Sequence, residues 1–136
     1  MFLPKRLKYK KYQKGKRFNF SYKNLNSNHK VKRTLCLVAE NFGRLTVKQL
    51  KALKQAINKR IKRKGRVLFN LCTSLPITKK PLEIRMGKGK GNISHFVFRV
   101  RPGRILCEIE TKYKKRAYYA LVYAKTRLPI KTKILL

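Results

Sequence analysis

Thirty-eight lysines and arginines face four acids in this 136-residue chain, for a formal net charge of +34. Like charges at that density repel across any compact surface, so the folded chain is incomplete without a polyanion laid against it. The four acids are Glu40, Glu83, Glu108 and Glu110. RNA, DNA, an anionic membrane and a sulfated polysaccharide are the polyanions to weigh.

Two of these fall away early. No apolar run approaches the ~20 residues that span a bilayer. Met1-Phe2-Leu3 meets Pro4 and then basic residues, without the apolar segment of a secretory signal. Cys36, Cys72 and Cys107 are odd in number, widely spaced and lack any CxxC pair. That pattern predicts reduced thiols in a reducing compartment, with no zinc site and no secreted disulfide scaffold. Nucleic acid remains. A hydrophobic content of 43% supports a real core, and the length suits one domain.

Residues 1–33 carry twelve of the cations and no acid. They show no sustained helical or strand period and read as a basic, extended RNA-binding arm, ordered on RNA. Tyr9, Tyr12, Phe18, Phe20 and Tyr22 are interleaved with its cations, a mixture suited to stacking on unpaired bases while phosphates are held. Residues 34–136 read as one α+β domain. Thr46 and Gln49 form a capping-box pattern. Leu50, Leu53, Ile57 and Ile61 follow as one helical stripe, and Gly65 is the expected C-cap. Lys48, Lys51, Lys59 and Arg63 occupy the other face. Strands are expected over Arg66–Thr73, where Val67, Phe69 and Leu71 alternate, over Leu82, Ile84 and Met86, over Ile93–Arg101, and over Arg104–Ile109. Pro76 and Pro81 make 74–81 a loop or sheet edge, and Pro102-Gly103 makes a turn. A second helix is expected from about Lys112 to Lys125, burying Tyr113, Ala117, Ala120, Leu121 and Ala124. Pro129 ends it, and Ile130–Leu135 is a last strand. The order predicts an antiparallel or mixed sheet covered by two helices.

The richest segment chemically is Arg85-Met86-Gly87-Lys88-Gly89-Lys90-Gly91-Asn92. Glycines let a backbone approach a ligand closely, while lysines and exposed N–H groups can hold phosphate oxygens. The spacing is not that of a Walker A loop, and a strand follows it, which excludes a dinucleotide fingerprint. Catalysis finds little support. Glu83, Glu108 and Glu110 could hold a metal for nuclease chemistry, but no nucleophile or general base accompanies them. His29 and His95 stand alone. The expectation is therefore no enzyme, no metal and no cofactor.

Several blocks resemble, in order, the universal large-subunit ribosomal protein sixteen family. They are Pro4-Lys5-Arg6 with Lys8 to Lys11 and Lys14-Gly15; Gly43-Arg44-Leu45-Thr46 leading into a helix that ends Lys62-Arg63-Lys64-Gly65; and Pro76 to Leu82. The glycine-rich loop itself follows, then Pro102-Gly103-Arg104-Ile105-Leu106 with Glu108, then Ala124-Lys125 and Leu128 to Lys133. The resemblance implies an α/β-hammerhead fold. It implies a place on large-subunit rRNA, at the base of the central protuberance beside the aminoacyl-tRNA site, with the arm and glycine loop toward the functional core. Partners would be large-subunit rRNA, aminoacyl-site tRNA and neighbouring ribosomal proteins, with no membrane and no homo-oligomer. The expected RNA-binding set, from residues and resemblance together, is Lys5, Arg6, Lys8, Tyr9, Lys10, Lys11, Lys14, Arg17, Arg44, Lys59, Arg63, Arg85, Met86, Gly87, Lys88, Gly89, Lys90, Gly91, Asn92 and Lys131.

Residues 18–42 depart from the family, lacking most of its glycines. Lys114, Lys115, Arg116, Tyr118, Tyr119 and Tyr123 stand where the family tends toward acidic residues and alanine. A composition rich in Lys, Asn, Ile, Phe and Tyr and free of Trp suits an AT-rich genome. With the family's own start at residue 4, this favours an organelle-encoded mitochondrial protein, with plastid and bacterial cytoplasm as alternatives. A free-standing nucleic-acid compactor, a nuclease and a secreted heparin-binding protein are the rival readings.

Overall fold

The structure is a computed structural model that describes residues 2–4, 7–13, 34–87 and 89–135. Along the described chain run β1 (Thr34–Ala39), β2 (Gly43–Thr46), α1 (Val47–Ile61), β3 (Arg66–Leu68), β4 (Leu75–Lys79), β5 (Asn92–Val100), β6 (Ile105–Glu110), α2 (Lys114–Lys125) and β7 (Thr132–Leu135). The α+β class holds, and every strand pair is antiparallel. The strands divide into two sheets where the sequence suggested one: a four-stranded sheet ordered β3-β6-β1-β7 and a three-stranded sheet ordered β2-β5-β4.

The start of α1 follows from its first four residues. Gln49 N donates to Thr46 Oγ1 at 3.3 Å and Thr46 N donates to Gln49 Oε1 at 2.9 Å, closing the capping box. Leu50, Leu53, Ile57 and Ile61 are buried as the stripe predicts. The end of the helix differs from expectation. Its cap is Lys62, in the left-handed region at φ 52°, and Arg63 follows at φ 61°. Gly65 serves another purpose. A Cβ there would lie 2.9 Å from Thr111 Cβ and 3.0 Å from Glu110 O, so only glycine lets the chain pass the end of β6.

The main core lies between the four-stranded sheet and the two helices. Leu35 and Ile109 face each other across β1 and β6, as do Leu37 and Cys107. Onto them pack Leu53 and Ile57 of α1 and Ala117, Ala120, Leu121 and Ala124 of α2. Alanines on α2 let the two helices pack closely at the cost of little side-chain entropy. Phe2 also belongs to this core. Its ring meets Phe69 edge-on at 5.7 Å, and its carbonyl accepts from Thr73 N at 2.8 Å and from Thr73 Oγ1 at 2.5 Å.

Several expected boundaries move. The strand predicted over Arg66–Thr73 ends at Leu68, because beyond it Phe69 and Leu71 turn into the core and Thr73 ties down Phe2. The segment 74–81 resolves as an edge strand, β4, a position that tolerates Pro76 because one side of the strand needs no ladder donors. Leu82, Ile84 and Met86 form no strand. They lie in turns beyond β4, with Leu82 96% and Met86 100% exposed, since no neighbouring strand extends there to pair with them. Tyr113 is not part of the buried stripe. It precedes α2 and is exposed, its ring 5.7 Å from Lys64 Nζ.

Candidate nucleic-acid interface

Five of the expected contact residues, Lys5, Arg6, Lys14, Arg17 and Lys88, lie outside the described residues. Many of the others are gathered at the three-stranded sheet. The arm segment 7–13 is exposed throughout and runs beside the glycine-rich loop. Lys11 Nζ donates to Lys90 O at 2.8 Å, and Lys90 Nζ donates back to the carbonyl of Tyr12. Lys80 Nζ donates to the carbonyl of Gly87. Each ammonium has three N–H donors and spends one on these carbonyls, which leaves donors free for phosphate oxygens.

Glycine makes the loop possible in two ways. Gly87 and Gly89 adopt φ of 106° and 80°, a region that disfavours side chains. Gly91 lies so close to β4 that a Cβ would stand 2.7 Å from Lys79 O. The first pair shapes an open tip, and the third seats the tip on the sheet edge. Beside it, Lys79, Lys80, Pro81, Leu82, Asn92, Ile93 and Ser94 line an open depression of about 340 Å³.

The face of the sheet below the arm is also cationic. Arg44 on β2 stands directly opposite Arg99 on β5, both exposed. Like charges in that position are unfavourable unless an anion lies across them. The Arg99 guanidinium is 4.9 Å from the Tyr12 ring centroid, so the arm docks by a cation–π contact. Lys8 Nζ similarly lies 5.6 Å from the Tyr9 ring. Arm, loop and sheet thus bring together Lys11, Tyr12, Arg44, Lys80, Lys90 and Arg99, and Lys8, Tyr9 and Lys10 are exposed in the same arm segment. Arg85 and Met86 are exposed in the same loop.

Lys59 and Arg63 are exposed elsewhere, at the end of α1. Near them Arg60 stacks on Tyr123 at 4.2 Å, and Arg127 donates to the Tyr123 hydroxyl at 2.7 Å. The hydrogen bond from Arg127, then its charge and those of Arg60 and Lys59, hold the Tyr123 hydroxyl below its ordinary range. Lys131 is exposed just before β7, and its carbonyl accepts from Glu40 N. Arg99 and Lys80 were missed from sequence because their role depends on which strands pair; the alternation in Ile93–Arg101 marked a strand but not its neighbour.

The acids are not brought together. Glu108 and Glu110 lie on β6 of the four-stranded sheet, opposite Cys36 and Thr34, while Glu83 sits in the turn after β4 of the other sheet. Among the described residues, no group of three or more His, Cys, Asp or Glu is placed to hold a metal, and no helix is long and apolar enough to cross a membrane.

Comparison with known proteins agrees over nearly the whole chain. The family model for ribosomal protein L16p/L10e matches residues 4–135. The large ribosomal subunit protein uL16 of Thioalkalivibrio sulfidiphilus is 42% identical over 133 residues, covering 97% of this chain and 94% of that protein. Proteins of the same name from Acinetobacter baumannii and Acinetobacter baylyi are each 38% identical over 134 residues, covering 98% of this chain and 96% of theirs.

Proposed function

This chain belongs to the ribosomal protein L16p/L10e family, and from that premise we propose how it works in the large ribosomal subunit. It is a structural constituent of that subunit and a binder of its rRNA. The observation that carries the mechanism is the junction of arm, glycine loop and sheet, where Lys11, Lys90, Arg44 and Arg99 crowd together on an acid-poor surface. Phosphate neutralisation at this junction releases counterions and supplies most of the affinity. Glycine-enabled backbone approach and stacking on Tyr9 and Tyr12 supply the fit.

The finer placement is at the base of the central protuberance, beside the aminoacyl site, with Arg85 and the loop lysines approaching the tRNA acceptor arm. Residues 1–33 act as the arm and 34–136 as the domain that anchors it. The seating of Phe2 in the core supports this, since it ties the arm to the domain while Lys8, Lys10 and Lys11 remain exposed. The family is a structural class, and the separation of Glu83 from Glu108 and Glu110 supports the absence of nuclease activity. The protein works as one copy per subunit in a mitochondrial ribosome and is made in that organelle. Its AT-type composition and its likeness to bacterial relatives support that origin.

Sedimentation tests the core of this reading. The chain should stay with large subunits after a high-salt wash, and Lys11→Gln/Lys90→Gln/Arg99→Gln should leave it in the free fraction. Recovery of the wild-type chain on bulk DNA, away from ribosomes, would overturn it. Cross-linking from position 90 to aminoacyl-site tRNA tests the finer placement, and labelled RNA with magnesium tests for cleavage that Glu108→Gln abolishes.

A further inference from the structure

The outer face of α2 takes no part in the junction described above. The helix buries Ala117, Ala120, Leu121 and Ala124 against the core, so its fold needs nothing from the opposite side. On that side stand two rows of residues four apart, Lys114, Tyr118 and Val122 in one and Lys115 and Tyr119 in the other; Tyr123 continues the second row but packs partly against the core. Residues four apart on a helix are surface neighbours, so each tyrosine row begins with a cation. Tyr119 is 67% exposed and Tyr118 44% exposed. Their rings meet edge-on, centroids 6.0 Å apart at 74°, a contact that covers no more than one face of one ring.

We infer that this face is a second RNA contact, on which unpaired bases of large-subunit rRNA stack against Tyr118 and Tyr119 while Lys114, Lys115 and Lys125 hold the flanking phosphates. Charge selects the occupant. Eight lysines and arginines lie between Lys112 and Lys133, and no acid follows Glu110. The centre of a protein interface is depleted of lysine and built on contiguous apolar surface, whereas here Val122 is the lone aliphatic among cations and phenols. Tyrosines set between cations are the pattern that holds single-stranded nucleic acid, by stacking and phosphate contact together. At the adjoining end of α1, Arg60 on Tyr123 and Lys64 beside Tyr113 extend the same chemistry across the helix pair. Since α2 packs on α1 and the four-stranded sheet and the arm–loop junction sits on the other sheet, one chain would hold two separate RNA segments.

This inference rests on the chain being a large-subunit constituent, and the experiment separates the two. Purified large subunits carrying the chain are irradiated to cross-link aromatic side chains to bases, and the chain is digested and its peptides identified. Nucleotide adducts are expected on Tyr118 or Tyr119 as well as on arm peptides containing Tyr9 or Tyr12. Adducts on the arm alone, or an α2 peptide joined to another protein, would overturn the second contact and leave the subunit assignment standing. Absence of the chain from washed subunits would overturn the assignment itself. With the purified chain and a single-stranded rRNA fragment, Tyr118→Ala/Tyr119→Ala should weaken binding on the order of tenfold. Tyr118→Phe/Tyr119→Phe, which keeps the rings, should stay within about twofold. Equal affinity of the alanine pair and the wild type also refutes the contact, and the phenylalanine pair guards against loss of fold as the cause.

Discussion

Replacing Arg44 with glutamine should make the free protein more stable and its grip on RNA weaker. Arg44 and Arg99 are directly opposed in the β2–β5 register and both exposed. Two unit charges about 6 Å apart in water repel by roughly 0.7 kcal/mol, inside the ~0.2–1 kcal/mol range of cross-strand pairs. Salt trims this, because the screening length is about 8 Å at physiological ionic strength. A net gain of about 0.5 kcal/mol corresponds to a rise of about 2 °C in Tm for a domain of this size. Binding moves the other way. Loss of one phosphate contact should flatten the dependence of log affinity on log salt by about 0.7 on single strands and about 0.9 on duplex RNA. From about 50 to 200 mM salt, the wild-type advantage should therefore shrink roughly threefold. Thermal unfolding of the free chain at low salt and titration of an rRNA fragment at several salt concentrations measure both halves. If Tm and affinity fall together, Arg44 is a structural residue and the reasoning from paired cations fails. An unchanged salt slope removes Arg44 from the interface.

Three further outcomes follow from local geometry. Gly91→Ala forces a Cβ to within 2.7 Å of Lys79 O; it should destabilise the fold by about 1–3 kcal/mol and loosen the Lys79–Asn92 pairing in amide exchange, and a wild-type Tm would show that the close approach is unnecessary. Lys62→Gly relieves a left-handed cap; the urea midpoint should rise by the equivalent of about 0.5–1 kcal/mol, and no rise would count against that cap. Burial first, then the neighbouring Cys36, push the Cys107 thiol up to about 12 from an ordinary 9.0. A raised pKa gives stability that is complete below pH 9.0 and is lost as pH climbs toward about 12, at about 1.4 kcal/mol per unit. Cys107→Ala should remove that share of the alkaline slope, and an identical slope in both proteins would refute it.

The elements legible from sequence were those whose pattern is local. Thr46 and Gln49 lie three residues apart and meet inside one turn, so the start of α1 could be read directly. The alternation of Ile93–Arg101 marked β5, and the glycine–lysine run marked the loop. β1 escaped because it is buried on both faces, pairing β6 on one edge and β7 on the other. Such a strand carries no polar–apolar alternation to detect. The apparent strand at Leu82, Ile84 and Met86 failed for the opposite reason: alternation was present, but no partner strand reaches it.

The family resemblance and the need for a polyanion were already contained in the order of residues, because net charge and short motifs do not depend on how the chain folds. Which cations act together was decided only by tertiary structure. Lys11 and Lys90 are 79 residues apart, and Arg44 and Arg99 meet solely because β2 pairs with β5 in one register. The physical reason is range: a cap or a charge count is settled within a few residues, whereas a binding surface is settled by hydrogen-bonded strand pairing between distant segments.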